Sequence, residues 1–270
     1  MTRPYAEVIG DPIAHSKSPL IHNFWLAKLG TDAEYRACHV RADELADYFA
    51  RRREDAKWRG CNVTAPHKVT AMSEVRTRKG VRSMIGAINT IVPSSDGDLD
   101  GANTDLEGII RPIEAVDVER GSLVVIGAGG AARAAVAASI ALGFAQVLVL
   151  NRSVEKARQM LDSVRPDARV LRLTDQVPAA DVLINASPLG QSGQPSPNIA
   201  LELLKSTSLV FDMVYAPVET HLLKDARARG LRTIDGLQML VGQAAAAFEL
   251  FFGQPAPREH DTELRALLTA

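Results

Sequence analysis

Apolar residues fall into short blocks separated by longer amphipathic stretches, a pattern typical of alternating β-strands and α-helices. In the first hundred residues this pattern predicts strands at 6–9, 35–40 and 61–64, and a hairpin of 87–92 with 99–101 around the turn at 94–97. One helix is predicted from Ser18 as N-cap, with Pro19 at its first position, to Gly30. A second is predicted from Asp43 to about residue 58, where Gly60 closes it, and a charged helical stretch follows Pro66.

From residue 122 onward the alternation is regular. It predicts strands at 123–126, 147–150, 170–173, 182–185, 209–212 and 232–234. That number of strands suits one doubly wound nucleotide-binding domain. Residues 237–252 are apolar almost all round, which predicts a buried helix that packs back onto the first domain. The fold class expected is α/β, with an N-terminal α/β domain (1–105 plus 237–270) and a Rossmann-type domain (106–236).

Composition narrows the class of protein. The 270 residues carry 31 Lys and Arg against 32 Asp and Glu, and no basic stripe indicates a nucleic acid partner. Arg133 and Glu249 interrupt the most apolar runs, and the N-terminus has no apolar signal core, so we expect a soluble cytoplasmic protein without a membrane partner. Cys38 and Cys61 lack metal-ligand spacing and are expected to be buried thiols in a reducing compartment, with no metal.

The most informative segment is the glycine turn after the first strand of the second half. Gly127, Ala128, Gly129, Gly130 and Ala131 follow the apolar block 123–126, and an alanine-rich helix begins at once. Such a turn brings backbone N–H groups and the positive end of a helix close to a pyrophosphate. The strand before it, the helix after it and Ala132 in the third place together predict a dinucleotide site.

The residues that close the next strand distinguish between cofactors. NAD sites usually hold an Asp or Glu there, whereas this chain has Asn151, Arg152 and Ser153, with Lys156 one turn further on. All four can donate hydrogen bonds to a 2′-phosphate, which favours NADP. The alternative is that Ser153 is a helix cap followed by ordinary solvated charges.

Polar residues in the first half cluster where strands meet turns or helices. Ser16 and Ser18 lie at the start of a helix, where hydroxyls and free N–H groups favour an anion such as a carboxylate, although Ser18 could be a plain cap. Lys68 follows a short strand and a proline turn that also carries Thr64, and such a lysine is held more rigidly than a surface one. Asn89 and Asp105 stand near predicted strand ends, where turn formation is the competing explanation.

These motifs together resemble the shikimate dehydrogenase family over nearly the whole chain. The matching strings are GDPIAHSKSP, NVTAPHK, GAINT, GANTD, the glycine turn, NRS, DMVYAP (212–217) and DGLQMLVGQ (235–243). The resemblance implies NADP-dependent, reversible reduction of 3-dehydroshikimate to shikimate, on the route to chorismate and the aromatic amino acids. The partners it implies are these small molecules, and the sequence leaves a monomer and a homodimer both open.

The resemblance also implies roles for individual residues. Lys68 and Asp105 match the catalytic pair, and which of them carries the proton is left open. Ser16, Ser18, Thr64, Asn89, Tyr215 and Gln243 match substrate-binding positions. Asn151, Arg152 and Lys156 fall where the family meets the adenosine phosphate, while Met213 and Gly236 match positions near the nicotinamide. Gln243 has an independent reason, because an amide in an apolar helix needs a partner, which a core hydrogen-bond network could also supply.

Two segments depart from the family pattern. Residues 74–82 are basic and contain Gly80, and Pro188 stands where many members have a polar residue, so both could alter cofactor contacts. The rival interpretations are a quinate/shikimate dehydrogenase that uses NAD, a dehydrogenase for an amino-substituted ring acid, and a non-catalytic regulator that binds NADPH or shikimate. The absence of an acid at 151–153 argues against the first, and the presence of Lys68 and Asp105 argues against the regulator.

Overall fold

The computed structural model describes residues 3–77, 85–174 and 177–270. The chain forms two compact units: Met1–Thr104 with Gln243–Ala270, and Asp105–Gly242. The domain limits predicted from the sequence differ from these at Asp105 and at 237–242.

The first unit is built on a mixed sheet. Its strands are β1 (Tyr5–Gly10), β2 (Glu34–His39), β3 (Trp58–Val63), β4 (Arg76–Thr77), β5 (Thr90–Pro93) and β6 (Leu99–Ala102). They lie in the order β2-β1-β3-β5-β6-β4. β1 pairs in parallel with β2 and β3, whereas β5 runs antiparallel to β3 and β6. Helices α1 (Ser18–Lys28) and α2 (Leu45–Arg53) and short 3-10 turns at Ala42–Glu44 and Thr70–Glu74 connect the strands.

The second unit is a parallel sheet with helices in its crossovers. Its strands are β7 (Ser122–Ile126), β8 (Gln146–Asn151), β9 (Arg169–Arg172), β10 (Val182–Asn185), β11 (Leu209–Asp212) and β12 (Arg232–Ile234). The helices from residue 105 onward are α3 (Asp105–Glu114), α4 (Gly130–Ala141), α5 (Val154–Val164), α6 (His221–Ala228), α7 (Gly236–Phe252) and α8 (Asp261–Thr269), with a 3-10 turn at Arg258–His260. The strand order β9-β8-β7-β10-β11-β12 is that of a doubly wound dinucleotide fold.

Both units have apolar cores that follow from the strand pattern. In the second unit every residue of β10 and β11 is buried, as expected for central parallel strands covered on both faces. In the first unit, Ala247 and Phe251 of α7 pack with Ala6, Val8 and Tyr35 against the sheet. The C-terminal part of α7 therefore contributes to the core of the first unit, although α7 follows the last strand of the second unit.

The strands and helices predicted for the second half are confirmed within one or two residues. Three helix predictions in the first half are wrong. Helix α1 has Lys17 as its N-cap, and Ser18 is already helical, because the Ser16 hydroxyl accepts the Ser18 N–H (3.3 Å) one residue earlier. Helix α2 ends at Arg53, not near Trp58.

Gly60 explains the second error. It lies within β3 at φ +135°, and a Cβ there would sit 2.4 Å from the Ile91 carbonyl oxygen on β5. A glycine after a helical pattern suggested a C-cap, but here it permits close approach of two strands. Similarly, the charged helical stretch is only a 3-10 turn, Thr70–Glu74, followed by β4, and most of the basic departure (residues 78–82) lies outside the described residues.

Cys61 is buried and Cys38 half-buried, and both are free thiols. Among the residues that the structure describes, no helix is long and apolar enough to cross a membrane. The same residues contain no cluster of three or more His, Cys, Asp or Glu placed to hold a metal ion.

Candidate active site

The predicted substrate residue Asn89 lies at the centre of a buried hydrogen-bond network in the first unit. Its Oδ1 accepts the backbone N–H of Thr104 (2.7 Å) and lies 3.0 Å from the Thr90 hydroxyl. Its Nδ2 donates to the Thr104 hydroxyl (3.0 Å) and to Oε1 of Gln243 (3.4 Å). Asn89 is only 3% exposed. The network therefore fixes which way the amide faces, and it brings Asn89 together with Gln243 across 154 residues of sequence.

Asn62 extends this network to the edge of the sheet. Its Nδ2 donates to the Asn89 carbonyl (3.2 Å) and to Thr90 (3.0 Å), and its Oδ1 accepts the hydroxyl of Tyr35 (2.6 Å). Burial raises the pKa of the Tyr35 hydroxyl well above its usual range. Tyr35 is thus joined to Asn89 through the neutral, buried amide of Asn62.

The turn after β3 holds Thr64 and Lys68. The Thr64 N–H donates to the carbonyl of Ile9, the last but one residue of β1 (3.0 Å), and the Thr64 carbonyl accepts the N–H of His67 (2.9 Å). The buried His67 ring bonds the Val40 carbonyl (2.6 Å), and the Lys68 carbonyl accepts the N–H of Ile88 (2.8 Å). The backbone around Lys68 is therefore tied to residues in or beside neighbouring strands, and a rigidly held Lys68 side chain remains a prediction.

Asp105 begins helix α3 in the second unit and is 4% exposed. The segment just before it belongs to the first unit, where Asn103 donates to the Ala87 carbonyl (2.9 Å). Both residues take part in further polar contacts. Tyr215, in contrast, lies on an exposed loop after β11, with 37% of its surface accessible.

The glycine turn has the geometry expected of a phosphate-binding turn. Gly127 adopts φ +115°, and a Cβ there would lie 2.8 Å from the Ala186 carbonyl oxygen. Gly129 is the N-cap of α4, and no heavy atom lies within 4 Å of the position that its Cβ would take. Ala132 is completely buried. The first glycine thus permits the tight turn, the second leaves open space at a helix N-terminus, and the alanine packs the helix on the sheet.

The segment after β8 is compatible both with a site for the 2′-phosphate of NADP and with a plain helix cap. Ser153 is the N-cap of α5, and its hydroxyl accepts the Lys156 N–H (3.3 Å), as the cap interpretation requires. The Asn151 amide donates to the Ser153 carbonyl (2.8 Å), which shapes the turn. Arg152 and Lys156 are exposed, and within the described residues neither makes an ion pair. Their charges therefore remain available to an anion beside the turn.

Met213 and Gly236 lie at the carboxyl edge of the same sheet. Met213 follows β11 and donates its N–H to the Asn185 carbonyl (3.0 Å). Gly236 begins α7, and a Cβ there would lie 2.5 Å or less from the carbonyl oxygens of Met213 and Val214. No other residue fits at position 236 without displacing the backbone that carries Met213.

Sequence reasoning missed the residues that support the predicted site. Asn62, Thr90 and Thr104 hold Asn89 in the first unit, and Tyr35 holds Asn62. The available signal was a polar residue inside a buried strand, since Asn62 and Thr90 each interrupt an apolar run.

Three family models match three successive parts of this chain. The family description "Shikimate dehydrogenase substrate binding domain" matches residues 8–91, "Shikimate / quinate 5-dehydrogenase" matches 113–194, and "Shikimate 5'-dehydrogenase C-terminal domain" matches 236–263. A curated relative from Sphingopyxis alaskensis, "Shikimate dehydrogenase (NADP(+))", is 52% identical over 267 residues, which cover 99% of this chain and 97% of the relative.

Solved structures agree in fold. The shikimate 5-dehydrogenase of Thermus thermophilus in complex with NADP(H) and shikimate is 31% identical, with a TM-score of 0.86 over 98% of this chain and 99% of that one. The quinate dehydrogenase of Corynebacterium glutamicum in complex with NAD is 27% identical, with a TM-score of 0.88 over 99% and 100%.

A doubly wound sheet with an open glycine turn, joined in one chain to a unit that presents a fixed lysine and amides, defines a dinucleotide-dependent oxidoreductase acting on a CH–OH group. The identity to the Sphingopyxis protein spans nearly the full length of both chains and is far above what fold similarity alone requires. The chain belongs to the shikimate dehydrogenase family.

Proposed function

We propose that this chain is an NADP-dependent shikimate dehydrogenase, which catalyses the reversible reduction of 3-dehydroshikimate to shikimate in chorismate and aromatic amino-acid biosynthesis. The observation that carries the proposal is the full-length similarity to a relative of that name, at 52% identity. It agrees with the NADP preference deduced from the residues after β8. The domain predicted from the sequence at residues 1–105 plus 237–270 would bind the substrate, and the domain predicted at residues 106–236 would bind the cofactor.

The side chains of the first unit suit a polyhydroxylated ring acid. Ser16 and Ser18 lie at the start of α1, where hydroxyls and the helix N-terminus favour the ring carboxylate. Thr64, Asn89 and Gln243 supply hydroxyl and amide groups for the ring hydroxyls, and we place Tyr215 with them. Because Asn89 is held by Thr104 and Gln243, its orientation is set before the substrate binds, which lowers the entropy lost on binding.

The residues of the second unit suit NADP. Gly127, Ala128, Gly129, Gly130 and Ala131 would hold the pyrophosphate at the N-terminus of α4, since the Cβ position of Gly129 is open. Arg152 and Lys156, both exposed, would contact the 2′-phosphate together with Asn151 and Ser153. Met213 and Gly236 would lie beside the nicotinamide.

When bound, NADPH supplies the hydride for the carbonyl carbon of 3-dehydroshikimate. The chain itself must deliver a proton to the carbonyl oxygen, and in the reverse direction must remove one from the hydroxyl. We assign this proton to the pair Lys68 and Asp105, each of which can hydrogen-bond an alcohol oxygen. Lys68 is the first choice as general acid and base because its backbone is fixed on both sides.

The decisive experiment is an absorbance assay at 340 nm with a panel of shikimate, quinate and an amino-substituted analogue, each with NADP and with NAD. We expect turnover with shikimate and NADP, and at least about tenfold lower kcat/KM with NAD, because no acid stands ready for the ribose. Preference for quinate and NAD would overturn the proposal in favour of the rival dehydrogenase. No absorbance change with any pair would favour a non-catalytic regulator that binds NADPH or shikimate.

The rival that uses NAD has one observation in its favour: the quinate dehydrogenase of Corynebacterium glutamicum, solved with NAD, shares the fold at a TM-score of 0.88. Its identity of 27% is well below that of the NADP-named relative. We therefore rank it second.

The cellular setting is also a proposal. Two free cysteines and the absence of a membrane-spanning helix among the described residues are compatible with a cytoplasmic enzyme, which cell fractionation would test. Light scattering on the purified protein would distinguish a monomer from a homodimer.

A further inference from the structure

We propose that Asp212 is a positioning residue for the proposed reaction: its buried carboxylate holds both ends of the loop 213–219, which carries Met213 and Tyr215. The inference rests on the proposed function, because that function gives the two loop residues their roles. Asp212 is the last residue of β11 and is completely buried. Such a burial of a carboxylate requires hydrogen-bond donors, and the loop provides them.

The two carboxylate oxygens bind opposite ends of the loop. Oδ1 accepts the N–H of Val214 (3.0 Å), just after the strand. Oδ2 accepts the hydroxyl of Thr220 (2.7 Å), where the loop ends. Thr220 is in turn the N-cap of α6, and its oxygen accepts the Leu223 N–H (3.3 Å). One side chain therefore closes the base of the loop onto the rigid sheet.

A second loop is attached to the same carboxylate. Asn185, the last residue of β10, donates from Nδ2 to Oδ1 of Asp212 (2.9 Å) and to the Leu189 carbonyl (2.9 Å). Its Oδ1 accepts both the N–H and the hydroxyl of Ser187 (3.1 and 2.7 Å). The loop that contains Pro188 is thus shaped by Asn185. Its first residue, Ala186, places its carbonyl oxygen against Gly127 of the glycine turn.

Charge matters as well as shape at this position. Burial raises the pKa of Asp212, while the bonds from Thr220, Val214 and Asn185 act in the opposite direction and stabilise the ionised form. All three partners present a hydrogen to the carboxylate, which only accepts. An amide of the same shape would direct one N–H toward the Thr220 oxygen, and the Thr220 hydrogen would then lose the carboxylate that accepts it.

The test compares Asp212→Asn with a matched variant, Asp181→Asn. Asp181 is also a buried acid (6% exposed) beside the same sheet, and its Oδ2 accepts the N–H and hydroxyl of Ser122 (2.8 and 3.0 Å). It lies just before β10, at the amino edge, whereas Asp212 ends its strand at the carboxyl edge. The two variants make the same change of charge at opposite edges of one sheet, and Asp181→Asn also removes an ion pair with Lys205 (3.3 Å).

We expect Asp212→Asn to raise the KM for NADP and shikimate, and the Kd for NADPH by fluorescence titration, about tenfold, the effect of losing one hydrogen bond to a charged group. Asp181→Asn should lower the Tm and leave these constants within about twofold. Thr220→Ser, which keeps the hydroxyl, should behave as the unmodified enzyme.

Two results would overturn the inference: unchanged KM and Kd values in Asp212→Asn, or the same increase in Asp181→Asn. If the unmodified chain shows no turnover with shikimate and NADP, the proposed function fails instead. In that case the NADPH titration still decides whether Asp212 positions the cofactor loop.

Discussion

Two glycines of the same turn should respond to alanine in opposite ways. In Gly127→Ala the new Cβ would lie 2.8 Å from the Ala186 carbonyl oxygen at a backbone φ of +115°. The backbone strain costs about 1–3 kcal/mol, and the overpacking costs about 1–3 kcal/mol more. Because about 1 kcal/mol shifts Tm by about 2–4 °C in a domain of this size, we expect a drop of about 10 °C.

Gly129→Ala meets no such obstacle. No heavy atom lies within 4 Å of the added Cβ, and the residue has φ −93° and ψ −168°, which any residue adopts. We therefore expect an unchanged or slightly raised Tm, since Ala restricts the unfolded chain more than Gly by about 0.4–1 kcal/mol. The Cβ would instead occupy the space through which a pyrophosphate approaches the backbone, so the Kd for NADPH should rise at least about tenfold.

Differential scanning calorimetry and NADPH fluorescence titration on the two variants separate these effects. Tight NADPH binding by Gly129→Ala would refute the assignment of this turn to the cofactor. A normal Tm for Gly127→Ala would refute the claim that the turn is packed against the loop after β10.

Three further predictions concern single side chains. Lys68→Ala should lower kcat about 100-fold or more in the 340 nm assay with little change in the KM for shikimate, and near-normal kcat would exclude Lys68 as the proton donor. Burial lowers the pKa of the fully buried His22 to about 3. The free energy of unfolding should therefore fall by up to about 1.4 kcal/mol per pH unit as the pH drops from about 6.5 toward 3. His22→Phe should remove this loss in urea titrations. The same loss in the variant would contradict a ring that stays uncharged in the folded state. Arg52→Leu should reduce the free energy of unfolding by about 3–5 kcal/mol, because Glu7, whose side chain is 3% exposed, loses its ion-pair partner at 2.5 Å. The exposed neighbour Arg51→Leu should change that free energy by less than about 0.5 kcal/mol, and equal effects of the two would contradict the argument.

The pattern of apolar and polar residues predicted the strands and helices of the second unit better than those of the first. Central parallel strands such as β10 and β11 are buried on both faces, so their sequences are nearly continuous runs of apolar residues. In the first unit, whose sheet is mixed, the wrong predictions fall where one residue fits two local structures. Gly60 shows the difficulty, because the same residue could end a helix or admit a neighbouring strand, and only the position of Ile91 decides between them.

The predicted site residues differ in how far local sequence could place them. The cap at Ser153 is fixed by a bond to Lys156, three residues away, whereas the glycine turn packs against the distant Ala186 carbonyl. The orientation of Asn89 depends on Gln243, 154 residues away, and on Thr90 and Thr104. The hydrogen bonds that Asp212 accepts from Asn185 and Thr220 were equally hidden, since these residues lie 27 and 8 positions from it in the sequence.

The sequence by itself determined the class of this protein, because the strand–glycine–helix pattern, the residues after β8 and the ordered motifs around Ser16, Lys68 and Asp105 are all local in the chain. The tertiary structure decided which polar side chains are fixed by hydrogen bonds and which residues are their partners. Buried amides, hydroxyls and carboxylates acquire partners only when distant strands meet, and burial makes an unpaired polar group costly. The pairs Asn89 with Gln243, and Asp212 with Asn185 and Thr220, are therefore properties of the fold, although each residue is visible in the sequence.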